Sequence, residues 1–154
     1  MQGNFDSTAW STAHRAPTSK PIQGAPAVNS CGNIEAPIDG PKKFVPSDCS
    51  EATYTVNSVQ ELPDDCIADS DNRFYRNNGE SSYTACLDYN WGSGKCIAMT
   101  ASAATSMPDC RVPSGHRTFK ASLLRTGVPD ASICPEVGFS YKVRKLAVCT
   151  TELR

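Results

Sequence analysis

The chain has 154 residues, of which 39% are hydrophobic and 20% charged, with a formal net charge of −1. This length accommodates one ordinary domain or two small ones. Because charges of both signs are interspersed, the sequence offers no basic surface for nucleic acid or anionic lipid, and no apolar run approaches the roughly 20 residues of a membrane span.

Residues 1–30 are predicted to be a disordered tether. Prolines recur among Ser, Thr, Ala, Gly and Gln without a hydrophobic period, and such a composition does not repay the entropy of ordering. Trp10 and His14 stand out here. We interpret both as incidental, with a docking anchor as the alternative for Trp10. The N-terminus is polar and shows no signal peptide, so we expect a leader or membrane anchor to have been removed from the native protein.

Residues 31–94 are predicted to form a first small β unit. Ala52 to Val59 alternates, with Tyr54 and Val56 on the buried side, which indicates a half-buried strand. A turn at 63–65 follows, then a short strand at 74–75. Asn77-Asn78-Gly79-Glu80 is typical of a hairpin turn, and residues 83–91 alternate most clearly of all.

Residues 95–154 are predicted to form a second such unit after the short linker Gly92-Ser93-Gly94. The order of features repeats: Thr53-Tyr54-Thr55-Val56 matches Thr118-Phe119-Lys120-Ala121, and Tyr83-Thr84-Ala85-Cys86 matches Leu146-Ala147-Val148-Cys149. Helical periodicity is poor, although Ser122 to Thr126 or Val59 to Leu62 could form one turn. The fold class expected is therefore all-β, with two tandem disulfide-braced antiparallel units.

The eight cysteines are best explained as disulfides, because an even count in units of this size suits an oxidising compartment and zinc sites favour close pairs such as CxxC. Four cysteines per unit allow three pairings. We favour first with second and third with fourth; alternating and nested pairings remain open. The favoured pairs are Cys31 with Cys49, Cys66 with Cys86, Cys96 with Cys110, and Cys134 with Cys149.

Several of these motifs resemble the LppU-like lipoproteins of actinobacteria, small envelope proteins with "GDC", "DCS", "CP" and "YTLCL" patterns. Asp48-Cys49-Ser50 and Tyr83-Thr84-Ala85-Cys86-Leu87 carry the likeness, and Gly94-Lys95-Cys96 adds to it. The second unit departs from the pattern, with Arg111 and Thr150 in place of serine and leucine. The resemblance covers residues 31–154 and implies an exported, membrane-anchored protein without a catalytic signature.

The sequence predicts no enzyme, cofactor or metal site. His116 is the one histidine in the body of the chain and has no second histidine with which to form an acid/base or metal pair. Asp64, Asp65, Asp69 and Asp71 do not match a calcium loop and are interpreted as a solvated acidic turn. Gly92-Ser93-Gly94-Lys95 fails the phosphate-loop pattern.

A protein-binding surface is the functional feature we predict. Arg73, Tyr75, Arg76 and Tyr89 are residue types that dominate interface hot spots, although core packing is the alternative for both tyrosines. The expected role is a non-enzymatic extracytoplasmic module, secreted or anchored outside the membrane, that binds another envelope or membrane protein. The alternative is a secreted inhibitor of a protease or other hydrolase, with Arg111 to Arg117 or Asp69 to Arg76 as the inhibitory loop.

Overall fold

The computed structural model describes residues 5–77, 79, 81–92 and 95–154. The chain divides into two compact units: a first unit of Arg15–Asn90, and a second unit of Trp91–Arg154 together with the N-terminal residues up to His14. Ser93 and Gly94 of the predicted linker lie outside the described residues, as do Asn78 and Glu80 of the predicted hairpin turn. Among the described residues, no helix is long and apolar enough to cross a membrane.

The first unit is a five-stranded antiparallel sheet with the strand order β2-β1-β3-β5-β4. Its strands are β1 (Cys31–Glu35), β2 (Lys43–Pro46), β3 (Tyr54–Gln60), β4 (Asn72–Asn77) and β5 (Ser82–Tyr89), with a single 3₁₀ turn at Pro63–Asp65. One face buries a small apolar core, in which Val56, Val59 and Leu87 are nearly or fully inaccessible. The predicted alternation of apolar residues explains this face.

The second unit repeats this topology strand for strand, with the order β7-β6-β8-β10-β9. Its strands are β6 (Cys96–Met99), β7 (Ala104–Ser106), β8 (Arg117–Thr126), β9 (Val137–Tyr141) and β10 (Leu146–Leu153), with a 3₁₀ turn at Ala131–Ile133. The all-β fold of two similar units is therefore as the sequence predicts. Ser122 to Thr126, considered above as a helical turn, is instead the second half of β8.

All eight cysteines are paired, and equivalent pairs brace each sheet. The pairs are the ones that the sequence favoured: Cys31–Cys49, Cys66–Cys86, Cys96–Cys110 and Cys134–Cys149. Four disulfides indicate an oxidising, extracytoplasmic environment. The last of them leaves no room for a side chain at Gly138, where a Cβ atom would lie 2.7 Å from the Cys134 sulfur.

The described part of the N-terminal segment, residues 5–30, is packed against the two units, which differs from the disordered tether predicted for residues 1–30. Helix α1 (Ser7–Ala13) buries Trp10, and His14 follows it with 1% of its surface exposed. Farther along, Ile22 and Ala25 pack against the core of the first unit. The sequence prediction missed this packing because Trp10, Ile22 and Ala25 pack against the units one at a time. Single apolar residues produce no hydrophobic periodicity that would indicate a helix or strand.

Candidate protein-binding surface

Strand β4 forms one edge of the first sheet and carries three of the four predicted surface residues. Because successive side chains point to opposite faces of a strand, Arg73 and Tyr75 share one face, while Arg76 shares the other with the buried Phe74. The structure therefore brings together only part of the predicted surface. Tyr75 is the exposed aromatic side chain of this pair, with 42% of its surface accessible.

Arg73 holds the segment before β4 in place. Its Nε donates a hydrogen bond to the carbonyl of Pro63 at 3.2 Å, and its Nη2 donates to the carbonyl of Ile67 at 3.4 Å. These contacts tie the guanidinium to the turn that contains Cys66. The side chain is therefore a fixed neighbour of Tyr75 and loses little rotamer freedom when a partner binds.

Tyr89 belongs to the edge of the core, which was the alternative interpretation. Its ring stacks on Tyr54 with 5.9 Å between ring centres, and its backbone N–H donates to Asp71 Oδ2 at 2.8 Å. Burial, and then the nearby carboxylate of Asp71 and the ring of Tyr54, raise the pKa of Tyr89 to about 12. Its hydroxyl therefore stays protonated and neutral at physiological pH.

The loop considered for the inhibitor alternative, residues 111–117, is largely exposed and lies between Cys110 and β8. The Thr118 hydroxyl donates to the Arg111 carbonyl at 3.0 Å, and the His116 N–H donates to the Pro113 carbonyl at 3.0 Å. The loop is thus held at both ends. The second candidate loop, Asp69 to Arg76, is wrong as a loop, because it becomes strand β4 from Asn72 onward.

A recess of about 450 Å³ opens on the second unit. Phe119 and Phe139 contribute its apolar lining, and Arg117 is the charged residue there. Two hydrogen bonds, of 3.0 Å and 2.7 Å, already join the Arg117 guanidinium to the carboxylate of Glu152. The charge of Arg117 is therefore balanced by Glu152 before any ligand binds. The described residues contain no group of three or more His, Cys, Asp or Glu placed to hold a metal ion.

Comparisons of the chain with protein-family models, with curated proteins and with solved structures found no match.

Sequence reasoning missed one surface, the edge of β8 beyond Ala121. The signal was present in the comparison of the two repeats. Residues 15–30 precede the first copy, whereas three linker residues were assigned before the second. Residues of this preceding segment bond to the edge of β3 in the first copy, and no segment in the described part of the chain does the same at β8 beyond Ala121 in the second.

Proposed function

We propose that the protein is a non-enzymatic, extracytoplasmic protein-binding module of the bacterial cell envelope and forms the exposed part of a membrane-anchored protein. The observation that carries the proposal is the exposed Tyr75 ring beside the fixed Arg73 guanidinium, on an edge strand of a disulfide-closed unit. Tyrosine and arginine are enriched at the energetic centres of interfaces, and the rigid strand lowers the entropy cost of binding. The resemblance to LppU-like lipoproteins supports the envelope setting.

Photo-crosslinking in cells tests this proposal. A photoreactive amino acid is placed at position 75 of the exported chain, and the matched control places it at Ile38, which is fully exposed in the same unit. We expect a discrete adduct with one envelope protein from position 75 and none from position 38. With the identified partner purified, Tyr75→Ala should weaken binding about tenfold or more, as hot-spot truncations do. Equal labelling from both positions, or no adduct from position 75, would overturn the proposal.

Inhibition of a protease is a second candidate function, and the braced loop at residues 111–117 favours it. Its own hydrogen bonds and the Cys96–Cys110 disulfide hold the loop in one exposed conformation, as a substrate-like inhibitor requires. Arg111 and Arg117 suggest enzymes that cleave after basic residues. Arg117 is paired with Glu152 at 2.7 Å, and the Arg111 guanidinium lies 3.5 Å from the carboxylate of Asp109, in a more exposed pair. Inhibition of a panel of such proteases that is lost on Arg111→Ala would support this role. Slow cleavage of the loop without inhibition would exclude it.

A further inference from the structure

The register of the two sheets shows which positions of the two units are equivalent. Ser58 lies opposite Cys86, and Leu123 lies opposite Cys149, with a bulge beside each pair. Counting along the strands from these pairs places Leu124 of β8 at the position of Val59 in β3.

In the first unit, the edge of β3 at Val59 is covered by the segment 16–20. The Val59 carbonyl accepts a hydrogen bond from the Lys20 N–H at 2.8 Å, and the Val59 N–H donates to Ser19 Oγ at 2.8 Å. Ala16 N–H donates to the carbonyl of Asn57 at 3.1 Å. The segment therefore runs parallel to β3 and satisfies the backbone groups that β1 does not reach.

In the second unit, the same edge of β8 is uncovered. Pairing on this side ends at Ala121, whose N–H donates to the Lys95 carbonyl at 2.9 Å, as the Val56 N–H donates to Ser30 in the first unit. By the shared register, the N–H and C=O of Leu124 point to this edge, and nothing in the described part of the chain bonds to them there. Leu124 is only half-buried, and Arg125 and Thr126 are exposed. An unpaired strand edge is a template for another strand.

The charges on β8 indicate what kind of segment fits. In the first unit, Lys20 of the covering segment forms an ion pair of 3.3 Å with Glu61, the residue after Gln60. In the second unit, Arg125 is at the position of Gln60 and Thr126 is at the position of Glu61. Lys120 precedes Arg125 by five residues on the same strand. Neither Lys120 nor Arg125 has an ion-pair partner in the described part of the chain. Thr126 therefore offers Lys20 no carboxylate, and Arg125 takes the place of Gln60, whose Nε2 donates to the Thr18 carbonyl at 3.0 Å. The segment 15–22 of a second copy carries Arg15 and Lys20 and no carboxylate, so its positive charge opposes self-association at Arg125.

We propose that the edge of β8 at residues 122–126 binds an extended acidic segment of a partner protein. The segment lies along β8 in the parallel direction as an extended stretch, in the way that residues 16–20, which form no strand of their own, lie along β3. Backbone hydrogen bonds to Leu124 supply the affinity, and Arg125 with Lys120 selects carboxylates. This inference rests on the proposed function and names a site for it.

Titration of the intact protein with short peptides, followed by amide NMR shifts, tests the inference. The probe has the sequence of residues 15–22, RAPTSKPI, with Thr18→Glu, because Thr18 is the residue that the equivalent of Arg125, Gln60, reaches in the first unit. The control is the native sequence. We expect shifts at residues 122–126 and binding about three- to tenfold tighter for the Thr18→Glu peptide. Arg125→Glu in the protein should reverse this preference. Because Arg125 is exposed, the variant is expected to fold normally.

A backbone-modified peptide tests strand addition without changing the protein. N-methylation at position 20 removes the donor equivalent to the one that bonds Val59, and binding should weaken at least tenfold. N-methylation at Ser19, which meets the Val59 N–H through its side-chain oxygen, should have a smaller effect.

Three results would overturn the inference: shifts only at other surfaces, no binding by either peptide, or tighter binding of the native sequence, which would indicate a second copy. Each leaves the crosslinking result at Tyr75 unaffected, so failure of this site is distinguishable from failure of the proposed function.

Discussion

The indole N–H of Trp91 donates a hydrogen bond to the hydroxyl of Tyr141 at 3.1 Å, and both side chains are almost completely buried within the second unit. The centre of the Trp10 ring lies 5.5 Å from the centre of the Tyr141 ring. The guanidinium of Arg144, in the turn between β9 and β10, lies 4.9 Å from the centre of the Tyr141 ring. Tyr141 is therefore the residue at which α1, the start of the second unit and its last hairpin meet. The sheet alone does not complete this core.

Tyr141→Phe should lower the free energy of unfolding by about 1–2 kcal/mol, because a hydrogen bond is lost where water cannot replace it. Urea denaturation measures the change. Tyr75→Phe, at an exposed site, serves as the control and should change stability by less than about 0.5 kcal/mol. In a double-mutant cycle, Trp91→Phe combined with Tyr141→Phe should cost less than the sum of the single variants. Additive costs would show that the two groups do not interact.

Trp10→Ala should release the N-terminal segment from the second unit. The side chain is 3% exposed and stacks on His14 with 5.0 Å between ring centres, so its loss should cost about 3 kcal/mol or more. Helix α1 has seven residues and is too short to persist without this contact. Hydrogen exchange should show loss of protection at the amides of Trp10 and His14.

Two control variants separate the aromatic contact from other effects on α1. Thr12→Ala, at an exposed position of the helix, should leave protection unchanged. Trp10→Phe should cost less than Trp10→Ala, because it keeps a ring and removes an indole N–H that has no partner in the described part of the chain. Retained protection in Trp10→Ala would contradict the assignment of Trp10 as the anchor.

Strand β3 is more deeply buried than its sequence predicts, because other parts of the chain pack on both of its faces. The alternation that places Tyr54 and Val56 on the buried side of a half-buried strand puts Thr55 and Asn57 on the other side, yet both are buried, as is every residue of β3. The strand itself was predictable, because alternation and β-branched residues are local signals. Its burial was not, because it depends on segments elsewhere in the chain. The Thr55 hydroxyl donates to the Ser30 carbonyl at 3.4 Å, Asn57 Nδ2 donates to Ser70 Oγ at 3.1 Å, and the Ala16 N–H donates to the Asn57 carbonyl at 3.1 Å.

The candidate surface was predictable in residue type but not in grouping. Arginine and tyrosine indicated an interface near β4, but which side chains share a face depends on where the strand begins and on its register with β5. That register places Arg76 opposite Tyr83 on the core side of the sheet, and Tyr75 opposite Thr84 on the other side. The open edge of β8 could be recognised only by comparing the strand registers of the two sheets, which the sequence does not give.

Removal of one disulfide should destabilise its own unit. Replacement of Cys66 and Cys86 together by alanine opens a loop with a sequence separation of 20 residues, and the chain-entropy estimate for such a loop is a loss of about 3 kcal/mol. Because Cys86 is fully buried, packing losses add to this value. In a urea titration, the first unit should unfold at a lower urea concentration than in the parent protein. Tryptophan fluorescence, which reports Trp10 and Trp91 in the second unit, should change at the original midpoint. A shift of both midpoints by the same amount would show that the units unfold together.

Stability should fall in alkaline solution as pH rises from 10 towards 12, and Tyr89 should contribute to the fall. Burial raises its pKa from 10.0 to about 12, with smaller contributions from Asp71 and Tyr54, and burial also raises the pKa values of Tyr54 and Tyr83. The folded state therefore holds these protons above the pH at which the unfolded chain releases them. The stabilisation is complete below pH 10 and is lost as pH approaches the folded value.

Thermal melting at a series of pH values, recorded promptly to limit disulfide exchange, measures this dependence. Tyr89→Phe removes one titrating group and keeps the ring that stacks on Tyr54, so its melting temperature should fall less steeply above pH 10. Absorbance of tyrosinate at alkaline pH should show one fewer late-ionising group in the variant. Identical pH profiles for the variant and the parent protein would mean that the Tyr89 hydroxyl is as accessible in the folded chain as in the unfolded one, which would contradict its placement at the edge of the core.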